Sequence, residues 1–201
     1  MIGGNAALYS PNEFLYARPI ADAILSDVTF RQWFLSGTTF ANIAGDVHPL
    51  PEDQAKLRTT ERAREWWWFN YFCHDDCSCA VNRNTETDIL IIFATTSGFR
   101  FAVHVEIKLP GKKLEPGQAE TYPRRAKCWA HPNTRPKPVL AHDGFVTILV
   151  CGDNLESDGR RSNFDDTRFH RDIEQRLSPY PDLTDIRKHP NGVRPLRLRG
   201  S

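Results

Sequence analysis

Two β-rich runs, 87–94 (Thr-Asp-Ile-Leu-Ile-Ile-Phe-Ala) and 99–108 (Phe-Arg-Phe-Ala-Val-His-Val-Glu-Ile-Lys), flank Thr95-Thr96-Ser97-Gly98. β-Branched and aromatic residues fit a pleated, half-buried surface, and a short Gly-containing interval between two such runs signals a hairpin. Antiparallel pairing of these runs is the strongest constraint on the fold.

The flanking segments have a different period. Ser10-Pro11-Asn12-Glu13 has the order of a capping box with Pro at the first helical position. Leu15, Ile20, Ile24, Leu25 and Val28, then Phe30, Trp33 and Phe34, recur at helical spacing, so 11–35 is predicted as two helices or one broken near Pro19. The stretch 45–53, with Pro49 and Pro51, reads as a loop, and Thr59 or Thr60 is expected to cap a helix running through Arg62, Glu65 and Phe69. After Pro116-Gly117 a helix should carry Gln118, Ala119, Tyr122, Ala126 and Trp129 and stop before Pro132. The apolar run 145–152 follows that crossover, as a buried strand parallel to its neighbour would. A last helix is expected over 165–177, followed by a basic tail with Arg187, Lys188, Arg194, Arg197 and Arg199.

The order helix, strand pair, helix, strand predicts an α/β protein, and 201 residues suit a single domain. Its core is assigned to 59–152, with an N-terminal helical extension over 11–50 and a C-terminal helix and basic tail over 160–201. Lys plus Arg number 26 against 25 for Asp plus Glu, so any nucleic-acid surface must be local. The apolar runs are too short to span a bilayer, and MIGGNAALYS lacks the basic start and apolar core of a secretory signal. A cytoplasmic protein with reduced cysteines is the expectation.

Within the second strand, Glu106 and Lys108 are two apart, so the pleat directs both to one face while Val105 and Ile107 point to the other. Residues 88 and 108 are nearly equidistant from the turn, which brings the Asp88 and Glu106 carboxylates together. Two hard oxygen ligands suit Mg²⁺ or Mn²⁺, and Lys108 adds a point charge beside them. Gln118 and Tyr122, at i and i+4, share a helix face that can reach the same cleft. The plain alternative is that Glu106 and Lys108 form a solvated ion pair on a strand face.

Asp88, then Val105-Glu106-Ile107-Lys108, then Gln118-Ala119-Glu120-Thr121-Tyr122 resembles the D…(D/E)-x-K…Q-x-x-x-Y pattern of PD-(D/E)XK nucleases, in particular their recombination-exonuclease branch. Thr rather than Pro precedes Asp88. The resemblance covers about residues 59–152. It implies a three-layer αβββαβ restriction-endonuclease-like core with a mixed central sheet, extra N-terminal helices and a C-terminal helix. It also implies an Mg²⁺-dependent phosphodiesterase, a deoxyribonuclease of endonuclease or exonuclease type, with DNA favoured over RNA. By that resemblance Asp88 and Glu106 bind metal, Lys108 is catalytic, Gln118 and Tyr122 flank the site, and Glu65, or else Glu61, supplies a further acidic ligand.

Arg124 and Arg125 are candidates for phosphate contact, and Trp66 within Trp66-Trp67-Trp68-Phe69 for base stacking, although core packing suits most of these rings better. His104 lies on the face of Glu106. Cys73-His74-Asp75-Asp76-Cys77-Ser78-Cys79 offers Cys73, Cys77 and Cys79 for a structural metal, or an iron–sulfur cluster with Cys128 or Cys151. The competing functional reading is therefore a catalytically inactive module of the same fold that binds nucleic acid or protein. In either case targeting would fall to a protein partner, to shape, or to the N-terminal helices.

Overall fold

The computed structural model describes residues 11–73, 77, 79 and 86–181. Two helices, α1 (Pro11–Ser26) and α2 (Val28–Phe34), come first. Pro19 sits inside α1, and the break falls instead at Asp27, whose carboxylate caps α2 by accepting from the Phe30 N–H at 3.0 Å. Ser10, the expected cap of α1, lies outside the described residues.

A short strand β1 (His48–Pro49) and helix α3 (Pro51–Lys56) occupy the stretch expected as loop. Thr60 caps α4 (Glu61–Glu65) by accepting from the Ala63 N–H at 3.1 Å, as the sequence predicts. That helix stops at Glu65. Phe69 belongs to strand β2 (Phe69–Phe72), because the continuous aromatic run serves two elements in turn. The hairpin is β3 (Glu86–Ala94) and β4 (Arg100–Ile107), followed by α5 (Gln118–Ala130) and β5 (Gly144–Cys151). The expected C-terminal helix divides into strand β6 (Asp166–Phe169) and a short α6 (His170–Glu174).

The chain is thus an α/β protein built on a mixed six-stranded sheet in the order β1-β3-β4-β5-β6, with β2 also on β3. β3 and β4 pair antiparallel, with Ile89 opposite Val105, and β5 joins β4 in parallel after the α5 crossover. On its other edge β3 meets β1 at Phe93 and Ala94 and β2 from Glu86 to Ile89. The interval between them is bridged by the buried Gln54 side chain, which donates to the Leu90 carbonyl and accepts from the Ile92 N–H. No backbone polar group of a buried strand can go unpaired cheaply.

Helices cover both sheet faces. Ile89, Ile91, Val103 and Val105 pack with Ile20 and Ile24 of α1, while Leu90, Ile92 and Ala102 pack with Trp129 of α5. Burying each such side chain stabilises by about 1.5–3 kcal/mol. Because both faces are covered, β3 and β5 read as continuous apolar runs instead of alternating ones. Among the described residues no helix is long and apolar enough to cross a membrane.

Candidate functional site

The α5 face of the hairpin carries the charge. Glu106 is 4% exposed, and its carboxylate is ringed by three donors. Gln118 Nε2 reaches Oε1 at 2.5 Å, Tyr122 OH reaches Oε2 at 2.5 Å, and Lys108 Nζ lies 2.8 Å from Oε1. Each donor is aimed by local structure. Lys108 shares the pleat face of Glu106. Gly117, in the left-handed conformation (φ 78°), starts α5, so that Gln118 occupies its first position and Tyr122 follows one turn later. Gln118 is held in turn, because its Oε1 accepts from the Glu115 N–H.

Asp88 is 5% exposed and sits in β3 just beyond the end of its pairing with β4. The β3–β4 ladder reaches Ile89 opposite Val105, and beyond it the Asp88 carboxylate accepts the Ile107 N–H at 2.6 Å through Oδ2. Oδ1 accepts nothing from the described residues. Two further carboxylates bear on this one. Glu86 begins β3, and Glu13, half-buried on the first turn of α1, adds its charge to Asp88, Glu86 and Lys108.

The electrostatics follow from putting these acids out of water. Burial, then the neighbouring Glu106 and Glu86, hold the Asp88 carboxyl well above the usual range, against the opposing pull of the Ile107 N–H. Glu86 is pushed up to about 7 by burial and by Glu106 and Glu13. Burial works against the Lys108 ammonium, but Glu106 and Asp88 overcome it and hold its pKa above the ordinary value. Tyr122 is driven far upward by burial and by Glu106 and Asp88, so it remains a hydroxyl donor. With Glu106, Asp88, Glu86 and Glu13 set against Lys108 and Arg125, the acids cannot all ionise without further positive charge.

That excess suits a hard divalent cation, and the open lone pairs suit it as well. A carboxylate offers about four acceptor positions. On Glu106 two of Oε1 go to Gln118 and Lys108 and one of Oε2 to Tyr122, which leaves one on Oε2, while Oδ1 of Asp88 is open. Oxygen ligands in small number are what Mg²⁺ accepts.

No family model, curated protein or solved structure matches this chain.

Of the residues read from the sequence, Asp88, Glu106, Lys108, Gln118 and Tyr122 come together. The Glu106–Lys108 pair is buried, with side chains 5% and 14% exposed, and so is not the solvated pair of the plain alternative. Glu65 and Glu61 are exposed on α4, and neither is among the charges bearing on Asp88, Glu86 or Lys108. The acid contributed by a helix is Glu13. Its signal was an acidic residue in the first turn of a helix whose apolar face packs on the sheet.

Arg124 is exposed on α5, but Arg125 is 1% exposed and corrects the expectation of a phosphate contact. Its guanidinium lies over the Tyr122 ring, 4.7 Å from the centroid, and donates to Thr87 Oγ1 at 3.1 Å. Trp66 packs edge-on against Phe14 with centroids 4.7 Å apart and with Arg18 over its ring, so it is tied to α1. His104 shares the Glu106 face but is fully buried, and neither ring nitrogen has a hydrogen-bond partner among the described residues. Burial, then the charges of His142 and Arg125, keep it neutral. The residues of the basic tail, with His74, Asp75, Asp76 and Ser78, lie outside the described residues.

Proposed function

We propose that the chain is a metal-dependent nuclease of the PD-(D/E)XK type that hydrolyses phosphodiester bonds, in DNA in preference to RNA. The observation that carries this reading is the convergence on Glu106 of Lys108, Gln118 and Tyr122, with Asp88 alongside. The order β2, β3, β4, then α5 and a parallel β5 supports the αβββαβ restriction-endonuclease-like core as the scaffold.

Asp88 and Glu106 would hold the Mg²⁺ or Mn²⁺, with water and substrate phosphate completing its oxygen shell. When bound, such an ion lowers the pKa of a water and offsets charge on the phosphate. Gln118 and Tyr122 fix the Glu106 carboxylate, so that its remaining lone pair has one direction. Lys108 keeps its proton beside Glu106 and can donate to an attacking water or to a non-bridging phosphate oxygen as charge grows there. Arg125 holds Tyr122 in place instead of binding substrate. The exposed Arg124 is available for a backbone phosphate.

The test is cleavage of labelled single- and double-stranded DNA and RNA by wild type and Lys108→Ala, each with Mg²⁺, Mn²⁺ or EDTA. Cleavage that requires the metal and falls by about 10²–10³-fold in the variant is the expected outcome. A wild type that binds these nucleic acids without cutting them would leave the fold with a binding role only.

A further inference from the structure

The far end of α5 carries a second, chemically different cluster. The Sγ atoms of Cys77 and Cys79 lie 2.7 Å apart, those of Cys73 and Cys79 3.1 Å, and those of Cys77 and Cys128 3.4 Å. Three of these residues come from the connection between β2 and β3. The fourth, Cys128, comes from the last turn of α5 and is 51 residues from Cys77 in sequence. The fifth cysteine is elsewhere, since Cys151 is buried with Leu149, Leu155 and Tyr122.

We propose that Cys73, Cys77, Cys79 and Cys128 are the ligands of one tetrahedral zinc ion that fastens the β2–β3 connection to α5. Four neutral thiols do not gather this closely for packing alone, so they are either joined in pairs or held around an ion. Two disulfides built from the close contacts would have to be Cys73–Cys79 and Cys77–Cys128. Yet the shortest separation, Cys77 to Cys79, joins two sulfurs that this pairing leaves unbonded. Contacts run from Cys73 to Cys79, from Cys79 to Cys77 and from Cys77 to Cys128, so the four sulfurs form one continuous set and not two separate pairs. Thiolates at about 2.3 Å from a tetrahedral zinc lie about 3.8 Å from one another, and the ligand atoms of Cys73, Cys77 and Cys79 all fall within 4.8 Å. An iron–sulfur cluster places several inorganic atoms between its cysteines and would spread them further.

The surroundings agree. Cys73 and Cys128 pack on Trp129 and Leu90, so the centre is anchored in the core. The connection it fastens leads directly into Glu86 and Asp88, and the helix it fastens carries Tyr122 about 9 Å and Gln118 about 15 Å away along the axis. Zinc here would set the register of α5 against β3. The inference does not depend on whether the carboxylate site cuts.

The measurement is metal content of the full-length chain, together with the absorption spectrum after growth or reconstitution with Co²⁺. One equivalent of zinc per chain is expected, with thiolate-to-cobalt charge transfer and the intense d–d bands of a tetrahedral four-thiolate field. Cys128→Ser should weaken metal retention by more than about tenfold, and Cys151→Ser should retain it fully. The cobalt spectrum of the wild type reports the thiolates even if Cys128→Ser fails to fold. A metal-free chain with free thiols, two disulfides, or iron with acid-labile sulfide would each overturn the assignment.

Discussion

The two ends of α5 gather opposite kinds of ligand. Gln118 and Tyr122 at its start meet a group of buried oxygen acids, whereas Cys128 near its finish meets three sulfurs. The oxygen end is destabilised by its own charge, since Asp88 and Glu86 are both held above their ordinary pKa by burial and by each other's neighbours. The sulfur end is anchored on Trp129. Hard, strained oxygen sites are suited to an ion that comes and goes with substrate, and closed sulfur sites to an ion that stays and adds folding energy.

The comparison is broken most directly at Asp88. Asp88→Asn removes the acid whose ionisation burial, Glu106 and Glu86 oppose, while an amide oxygen can still accept the Ile107 N–H. Cleavage should fall by about 10²–10³-fold. The metal-free chain should become more stable, by about 1 kcal/mol in urea unfolding, as expected where activity has been kept at the expense of stability. A variant that loses both activity and stability would mean that the carboxylate is structural. Zinc content should not change.

A pH series sharpens the account of what supports the oxygen end. His170 of α6 contacts the Lys108 carbonyl at 2.9 Å and the Tyr180 hydroxyl at 2.7 Å, and burial lowers its pKa to about 4 from 6.5. The folded state then binds fewer protons than the unfolded chain between those values. Its contribution to stability is complete above about pH 6.5 and is lost as pH falls through about 4, by at most about 3 kcal/mol. Glu86 has the opposite sign. Its folded pKa is raised from 4.5 to about 7, so its effect on stability is felt as pH rises through that window. Denaturant midpoints of wild type and His170→Gln should therefore converge as pH is lowered from 6.5 to 4. Parallel curves would show that His170 contributes no such linkage.

The smallest effect is expected at Tyr122. Tyr122→Phe keeps the ring that packs on Phe164 and under Arg125 but deletes the donor to Glu106 Oε2. Cleavage should drop about tenfold with zinc and fold intact. An unchanged rate would make Tyr122 a core residue whose hydroxyl has no role in the site.

Much of the oxygen end was legible in the sequence. Period two along β4 fixes Glu106 and Lys108 on one face, the turn fixes Asp88 opposite Glu106, and the i, i+4 spacing aims Gln118 and Tyr122 together. Each of these is a local rule of strand or helix geometry. The shortfalls have a common physical origin. Phe69–Phe72 extends an aromatic run begun near α4, so β2 has no pattern of its own. β6 is half-buried along its whole length, so it too lacks an alternating signature. Arg125 resembles its exposed neighbour Arg124 in sequence, and only the packing of α5 on β3 separates them.

What the sequence determined alone was the hairpin, its register and the residues each element presents. Tertiary structure decided the membership of the two clusters: Glu13 joins through the packing of α1 near the sheet, and Cys128 joins because the last turn of α5 meets the β2–β3 connection. Periodicity is a property of one element at a time. Which elements then face each other is set by how their apolar faces bury together, and that is written in no single stretch of chain.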